Sequence, residues 1–242
     1  MNTTDITRTD PVTFFADALR RDGARLAAGA TDLTLRVPSC PEWVVGDLVW
    51  HVGEVHEFWR EIAKGAQPTD LRRRDRPLDH ELVPWFRDGV EAIAATLENL
   101  DPARPSWTWS SQRDVGFIQR RMAHETAVHC WDVLSAAGRD EPVERALAED
   151  GIDEFLSFFL PDTAPEDLDV HLHATDGSGE WLIRSRGTTW RIGHEHAKAA
   201  AAVRGSASDL LLFLWRRKPS SAVETFGDAA MLNRLRKAAS LG

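Results

Sequence analysis

The 242-residue chain has no tyrosine, only two cysteines and no long uninterrupted run of apolar residues. The absence of tyrosine removes one common catalytic acid from consideration. No segment approaches the ~18 apolar residues that a membrane-spanning helix needs, so we expect no membrane partner. Two cysteines, together with a polar segment at residues 1–10 in place of an export signal, are typical of a cytoplasmic protein with reduced thiols.

Positive charge is also scarce. The chain has 29 lysines and arginines against 38 aspartates and glutamates, which gives a net charge of −9. An acidic chain has no general attraction for phosphate backbones, so we expect no nucleic-acid partner. The one basic run, at residues 71–76, is short and interrupted by Asp75, and we interpret it as a solvated loop. Hydrophobic residues make up 43% of the chain, which is enough for a packed core in one large or two modest domains.

The first part of the chain has the 3.6-residue apolar period of helices. This period predicts four helices at residues 11–28, 44–63, 80–100 and 117–137, and a further helical stretch at 143–160. Residues 33–41 contain two prolines and are predicted to be a short connection. The second helix has no Ser or Thr N-cap, since Val44 precedes Val45 and Gly46, and this weakens its initiation.

After Pro161 the apolar period changes to the alternation of strands. It predicts strands at residues 170–174, 181–184, 188–192 and 199–203, and helices at 206–217, with Ser206 as the N-cap, and at 228–239. The predicted fold class is therefore α + (α+β). A four-helix bundle occupies residues 1–160 and a small α+β domain occupies residues 165–242, with the boundary at 161–166.

The chain has nine histidines, and one of them forms, with a nearby glutamate, a pair whose spacing suits metal binding. Glu125 and His129 are four residues apart, so they share one helix face and can reach a single ion at roughly 2.0–2.2 Å. His124 is five residues from His129, about 140° around the helix, and cannot join it on one metal.

A third ligand must come from another helix, and His51 is the candidate because it has helical spacing with the apolar residues of the second helix. His56 lies at a different angle, nearer the edge. Facing helices of a bundle bring inward side chains together and build metal sites there. The alternatives are that His51 is an ordinary core histidine and that Glu125 and His129 form a surface pair.

Two sequence blocks resemble the mycothiol-dependent maleylpyruvate isomerase family, whose members have a DinB/YfiT-like metal-binding bundle and a small C-terminal α+β domain. Residues 37–53 contain a proline, a tryptophan, an Asp-Leu pair and then His51, eight residues after Trp43. Residues 121–132 contain the glutamate and histidine four apart. A looser similarity extends through Asp176, Trp181, residues 205–212 and residues 226–228.

The resemblance implies a divalent metal, zinc or another, held by His51, Glu125 and His129. Three protein ligands leave a position open for water or a thiol, as in catalytic zinc sites. Asp47 lies one turn before His51 and is expected either to orient its ring or to stabilise the helix N-terminus.

Asp132 is three residues after His129 and is expected either to orient it or to face solvent near Arg121 or Arg139. The family's C-terminal domain supplies a basic residue to the site, and Arg217 best matches it, with Arg216 as the alternative. The other interpretation of these arginines is a solvated helix end.

The resemblance therefore implies an enzyme in which zinc activates mycothiol, the small thiol of actinobacteria, for isomerisation of or S-transfer to a small electrophile. An arginine near the site would hold a substrate carboxylate. A hydrolase using metal-activated water and a non-catalytic binding or regulatory protein are the competing hypotheses. We interpret Cys40 and Cys130 as ordinary small residues. The sequence names neither the electrophile nor the oligomeric state.

Overall fold

A computed structural model describes residues 10–239. Most of the predicted polar N-terminal segment, residues 1–9, lies outside the described residues. By its internal contacts the chain divides into two compact units between Glu141 and Pro142. The division falls about 20 residues before the boundary expected at 161–166, because the fifth helix packs within the second unit.

The first unit contains four α-helices: α1 (Pro11–Gly29), α2 (Val45–Lys64), α3 (Asp79–Glu98) and α4 (Val115–Ala136). Their bounds agree with the predicted helices to within two residues. Asp10 caps α1 by accepting a hydrogen bond from the Thr13 amide, and Asp114 caps α4 in the same way at Phe117. Gly65 ends α2 at a φ of 113°, which glycine adopts without strain.

A short hairpin precedes α2 where the sequence predicted only a connection. Its antiparallel strands are β1 (Arg36–Val37) and β2 (Cys40–Val44). No Ser or Thr caps α2, but the Asp47 carboxylate accepts a hydrogen bond from the Val44 amide at 3.1 Å. The carboxylate therefore supplies from the first turn the cap that Val44 lacks.

The bundle core lies between all four helices and the hairpin. Helix α1 packs against α3 and α4, and α2 packs against the same two helices. Most residues of α4 are buried, including its polar residues Thr126, His129 and Asp132. Helix α4 thus presents polar groups to the interior, where each needs a partner.

The second unit contains α5 (Arg145–Phe158), five strands and two further helices. The strands are β3 (Asp169–Ala174), β4 (Glu180–Arg186), β5 (Thr189–Gly193), β6 (Ala201–Gly205) and β7 (Glu224–Gly227). The helices are α6 (Ala207–Leu214), which Ser206 caps as expected, and α7 (Ala229–Ala238). Strand β7 was not predicted from the sequence, since all four of its residues are exposed and carry no apolar alternation.

The five strands form one mixed sheet in the order β5-β4-β3-β6-β7. Strands β3 and β6 are parallel, and every other neighbouring pair is antiparallel. A helical first unit and a mixed-sheet second unit confirm the predicted α + (α+β) class. Within residues 10–239, no helix combines the length and apolar character that crossing a bilayer requires.

Candidate functional site

Two helices of the first unit bring His51, Glu125 and His129 together, and we call these three residues the bundle cluster. His51 comes from α2, and Glu125 and His129 come from successive turns of α4. One donor atom from each side chain lies within 4.8 Å of the other two. The face shared by Glu125 and His129 is the one that their four-residue spacing indicates.

The donor atoms of the bundle cluster have a separation that suits one metal ion. Glu125 Oε1 lies 3.2 Å from His129 Nε2 and 3.5 Å from His51 Nε2. Donors held at about 2.0–2.2 Å around a tetrahedral zinc are about 3.3 Å apart. Two imidazoles and one carboxylate are also a set that zinc accepts. The residues present therefore fit the metal that the sequence leads us to expect, and metal binding stays a prediction.

Asp132 holds the ring of His129 from behind. Its Oδ2 accepts a hydrogen bond from His129 Nδ1 at 2.9 Å, and the carboxylate is fully buried. Because Nδ1 keeps its proton in this pair, Nε2 is the ring nitrogen that faces Glu125 and that binds a metal once its own proton is lost. Ser39, in the β1–β2 turn, donates to the other Asp132 oxygen at 2.5 Å. Of the two roles expected for Asp132, the structure has the orienting one.

The two carboxylate oxygens of Glu125 have different partners. Oε2 accepts from Arg121 at 2.6 Å, and Oε1 faces the two imidazoles. Burial alone raises the pKa of Glu125, but His129 and Arg121 beside it hold that pKa well below its usual range. The carboxylate is therefore an anion with one oxygen available to a cation.

The protonation of His129 follows from the same neighbours. Burial lowers its pKa, but Glu125 and Asp132 together outweigh burial and raise that pKa to about 9. Near neutral pH a metal ion must therefore displace a proton from this ring.

The other two histidines near the cluster point elsewhere. His56 was expected near the bundle edge, but it is buried, stacks on Phe86 and donates from Nε2 to Thr126 at 2.8 Å. Burial lowers the pKa of His56 to about 4, so its ring is neutral. His124 is buried with its ring against Phe15 of α1.

Asp47 was predicted as a catalytic residue that orients His51, with helix capping as the alternative. Its carboxylate accepts from the Val44 amide at 3.1 Å and from Arg76 at 2.7 Å. Both bonds draw the side chain back over the first turn of α2, where the helix amides and Arg76 attract it. These contacts agree with the helix-capping alternative; among the described interactions neither oxygen of Asp47 contacts His51, and its orienting role stays a prediction.

Arg217 and Arg216 follow α6 in the second unit. Arg216 donates to the backbone carbonyls of Arg236 and Ala239, at the C-terminal end of α7. Arg217 lies over the ring of Trp215 and donates to that residue's carbonyl. Both arginines therefore have contacts within their own unit, and a basic contribution from Arg217, or alternatively Arg216, to the site stays a prediction.

A cavity of about 400 Å³ opens beside the exposed edge of His51. Its walls are α2 and the loop that carries the basic run at residues 71–76. Arg73 pairs with Glu54 at 2.7 Å and Arg74 pairs with Glu57 at 3.3 Å, while Arg72 lines the same cavity and is exposed. The sequence indicated only a solvated loop here, because nothing in the basic run shows that it folds back over α2.

Cys130 is not a nucleophile in this setting. Burial raises its pKa to about 12, so the side chain is a neutral thiol at physiological pH. This agrees with its interpretation as an ordinary small core residue.

Comparison with known families gives two matches along the chain. The profile of the mycothiol maleylpyruvate isomerase N-terminal domain matches residues 16–134. The profile of the MDMPI C-terminal domain, named for the same isomerase, matches residues 146–234. The two regions cover most of the chain and fall on either side of the division at Glu141. A comparison with curated proteins finds no match.

Two solved structures resemble the chain over nearly its whole length. One is the mycothiol-dependent maleylpyruvate isomerase, with a TM-score of 0.62, 11% identity and coverage of 89% of this chain and 93% of that one. The other is a histidine-to-alanine mutant of that isomerase, with a TM-score of 0.64, 10% identity and the same coverage. At this identity the likeness shows that the fold is shared.

Proposed function

Because the chain belongs to the mycothiol maleylpyruvate isomerase family, we propose that it is a metal-dependent enzyme of small-molecule thiol chemistry. Its co-substrate is a low-molecular-weight thiol, mycothiol or a close relative. Its reaction is isomerisation of a small electrophile or transfer of the thiol sulfur to one. The metal is zinc, and its ligands are His51, Glu125 and His129.

The observation that carries this proposal is the open side of the bundle cluster. The side chain of His51 is 37% exposed and lines the 400 Å³ cavity, whereas His129 is buried behind it. A fourth ligand can therefore approach along the exposed edge of His51. Zinc held by these three residues supplies a positive centre that lowers the pKa of a thiol or water bound to it.

The groups around the cluster prepare it for such a cation. Asp132 fixes the ring of His129, and Arg121 holds one oxygen of Glu125 so that the other faces the imidazoles. The ring of Trp43 lies 4.9 Å from that of His51 and restricts its movement on the side of the hairpin. Three donors held in place in advance lose little conformational freedom when a ligand arrives.

The arginines near the cavity suit an electrophile that carries a carboxylate. Arg72 is exposed on the cavity wall, where its guanidinium can bind a carboxylate through two parallel hydrogen bonds. Arg217 stays our second candidate for this role, on the family resemblance. For a conjugated cis alkene, the thiolate sulfur bonds to one alkene carbon as electrons shift to the carbonyl. Rotation about the resulting single bond and loss of sulfur then restore the alkene as trans, with no atom consumed.

Thiol dependence tests the proposal. Zinc-loaded protein is incubated with maleylpyruvate and other small electrophiles, each with mycothiol, with glutathione and without thiol, and the products are followed by chromatography. We expect turnover with a thiol, its loss in His129→Ala, and full retention in His80→Ala, a matched exposed histidine. Turnover that is equal without any thiol would indicate a hydrolase instead. Absence of thiol-dependent turnover across the panel would argue for a binding protein.

A further inference from the structure

The second unit contains another group of histidines around one carboxylate, separate from the bundle cluster. His171, Glu180 and His196 each offer one donor atom within 4.8 Å of the other two, and we call them the sheet cluster.

The sheet builds most of this cluster through its strand register. His171 and His173 are two residues apart on β3, so both side chains lie on one face. Glu180 on the neighbouring β4 pairs with His173 directly across the strands, which brings its carboxylate to the same face. His196 comes from the segment between β5 and β6. Three stretches of the chain thus converge on one carboxylate.

The distances within the group are short. His171 Nε2 lies 2.5 Å from Glu180 Oε2, and Oε1 of the same carboxylate lies 2.6 Å from His173 Nδ1 and 3.1 Å from His196 Nδ1. The rings of His171 and His196 meet edge to face with centroids 5.2 Å apart. Each carboxylate oxygen therefore faces at least one imidazole.

His171 Nε2 and Glu180 Oε2 form a close ion-pair contact whose orientation falls short of a well-formed hydrogen bond. Both atoms are buried, and within the described part of the chain neither His171 Nε2 nor Glu180 Oε2 has a hydrogen-bond partner. The His171 side chain is only 7% exposed, so water does not readily satisfy it. A buried nitrogen and a buried carboxylate oxygen that lack a well-oriented hydrogen bond are both satisfied when the two side chains separate slightly and coordinate one cation beside them.

A cation satisfies both atoms. The carboxylate of Glu180 presents both of its oxygens to the imidazoles of the cluster, so it can supply the negative charge that such a cation needs. Imidazole nitrogens and a carboxylate select late first-row divalent metals such as Zn²⁺, whereas Mg²⁺ and Ca²⁺ prefer all-oxygen sites. His173 donates to Oε1 and orients the carboxylate, as second groups commonly do around metal ligands.

We propose that the sheet cluster is a second divalent transition-metal site, with His171, Glu180 and His196 as its protein ligands. Because His196 lies on the segment between β5 and β6 while the other ligands lie on β3 and β4, the ion attaches that segment to the sheet. The role of this ion is structural. The proposal is independent of whether the bundle cluster performs thiol chemistry.

Metal stoichiometry tests the proposal. Metal-free full-length protein is titrated with Zn²⁺ by calorimetry, and bound zinc is measured by mass spectrometry after gel filtration. We expect about two equivalents in the wild type. About one equivalent of zinc should remain bound in the His171→Ala/His196→Ala variant, and about one in the His51→Ala/His129→Ala variant. His194→Ala removes an exposed neighbour of His196 that pairs with Asp153, and it should keep both equivalents.

Two outcomes would overturn the proposal. The first is one equivalent of zinc in the wild type with no loss in the His171→Ala/His196→Ala variant. The second is equal loss in His194→Ala, which would indicate unspecific binding to surface histidines. If the double variant fails to fold, His196→Ala alone decides, because its side chain is 76% exposed and its removal leaves the sheet packing intact. In the His51→Ala/His129→Ala background, zinc should raise Tm, and adding His196→Ala should abolish that rise.

Discussion

The bundle cluster and the sheet cluster have the same donors, two imidazoles and one glutamate, in different surroundings. In the bundle cluster a buried arginine holds one oxygen of Glu125, and Asp132 fixes His129 from behind. In the sheet cluster the carboxylate of Glu180 meets imidazoles on both oxygens. The bundle cluster also opens to a cavity through His51. These different surroundings are the reason that we propose chemistry for the bundle cluster and attachment of a segment for the sheet cluster.

Replacing the carboxylates should give the largest difference between the clusters. Glu125→Gln removes the ion pair that Glu125 forms with the Arg121 side chain, which is only 5% exposed. Breaking a buried pair in this way costs about 3–5 kcal/mol. We therefore expect that loss in the free energy of unfolding of the metal-free protein, measured by urea denaturation, together with loss of the bundle zinc. Glu180→Gln should cost less, because the carboxylate of Glu180 meets imidazoles and is itself less deeply buried than the Glu125–Arg121 pair.

The control for that comparison is Glu57→Gln, which removes a half-exposed carboxylate paired with Arg74. It should change the free energy of unfolding by no more than about 1 kcal/mol. Equal losses in Glu125→Gln and Glu180→Gln would show that the arginine beside Glu125 does not distinguish the clusters.

Zinc affinity at the bundle cluster should depend strongly on pH. The pKa of His129 is raised to about 9, so below that pH the metal-free ring carries a proton that zinc must displace. Affinity should therefore fall as pH falls, about tenfold per unit between pH 8 and pH 6. Calorimetry in buffers of different ionisation enthalpy, on the His171→Ala/His196→Ala variant, measures both the affinity and the protons released. A release well below one proton per zinc would contradict the prediction.

Asp132→Asn should weaken zinc binding at the bundle cluster by about 10–100-fold, the usual cost of losing a group that orients a metal ligand. An asparagine can present its amide to His129 and turn the ring's proton to Nε2, which then cannot bind zinc. The same calorimetric titration measures the zinc affinity of the Asp132→Asn variant. The matched change in the sheet cluster, His173→Ala, should weaken only the sheet zinc, and cross-effects between the two would mean that the sites are not independent.

The smallest effect is expected from Ser39→Ala in the hairpin turn. It removes one hydrogen bond to the buried Asp132, which is worth about 1 kcal/mol. The loss should appear in the free energy of unfolding and as a several-fold weaker bundle zinc. Thr34→Ala, which removes an exposed hydroxyl bond to Asp32, is its control. No difference between the two would mean that Ser39 does not support the site.

The sequence was most informative where one regular element carried the pattern. The four helices follow from their apolar period, and the four-residue spacing of Glu125 and His129 follows from helix geometry. The His51 partnership depends on how α2 faces α4, so it became a prediction only through the family resemblance. The sequence did not predict the sheet cluster. The alternation at residues 170–174 indicates only a strand. The register that places Glu180 opposite His173, and the position of His196 beside them, depend on tertiary structure.

Other features depended on contacts that no local pattern reveals. The β1–β2 hairpin contains two prolines near its turn and too few residues for a clear alternation. Arg72 borders the cavity only because its loop folds back over α2. Asp47 was expected to contact either the ring of His51 or the N-terminus of α2. Its carboxylate also binds Arg76, which lies 29 residues later in the chain and could not be identified as a partner from local sequence.

The bond from Ser39 to Asp132 has a consequence for engineering this fold. A designer who transplants the three donors onto another pair of antiparallel helices would copy α2 and α4 and leave the hairpin behind. The copied Asp132 would then lack the hydrogen bond from Ser39 that helps to fix its carboxylate, and His129 would be held less firmly. The smallest portable version of the site therefore includes the turn between β1 and β2, which lies more than 90 residues before His129 along the chain.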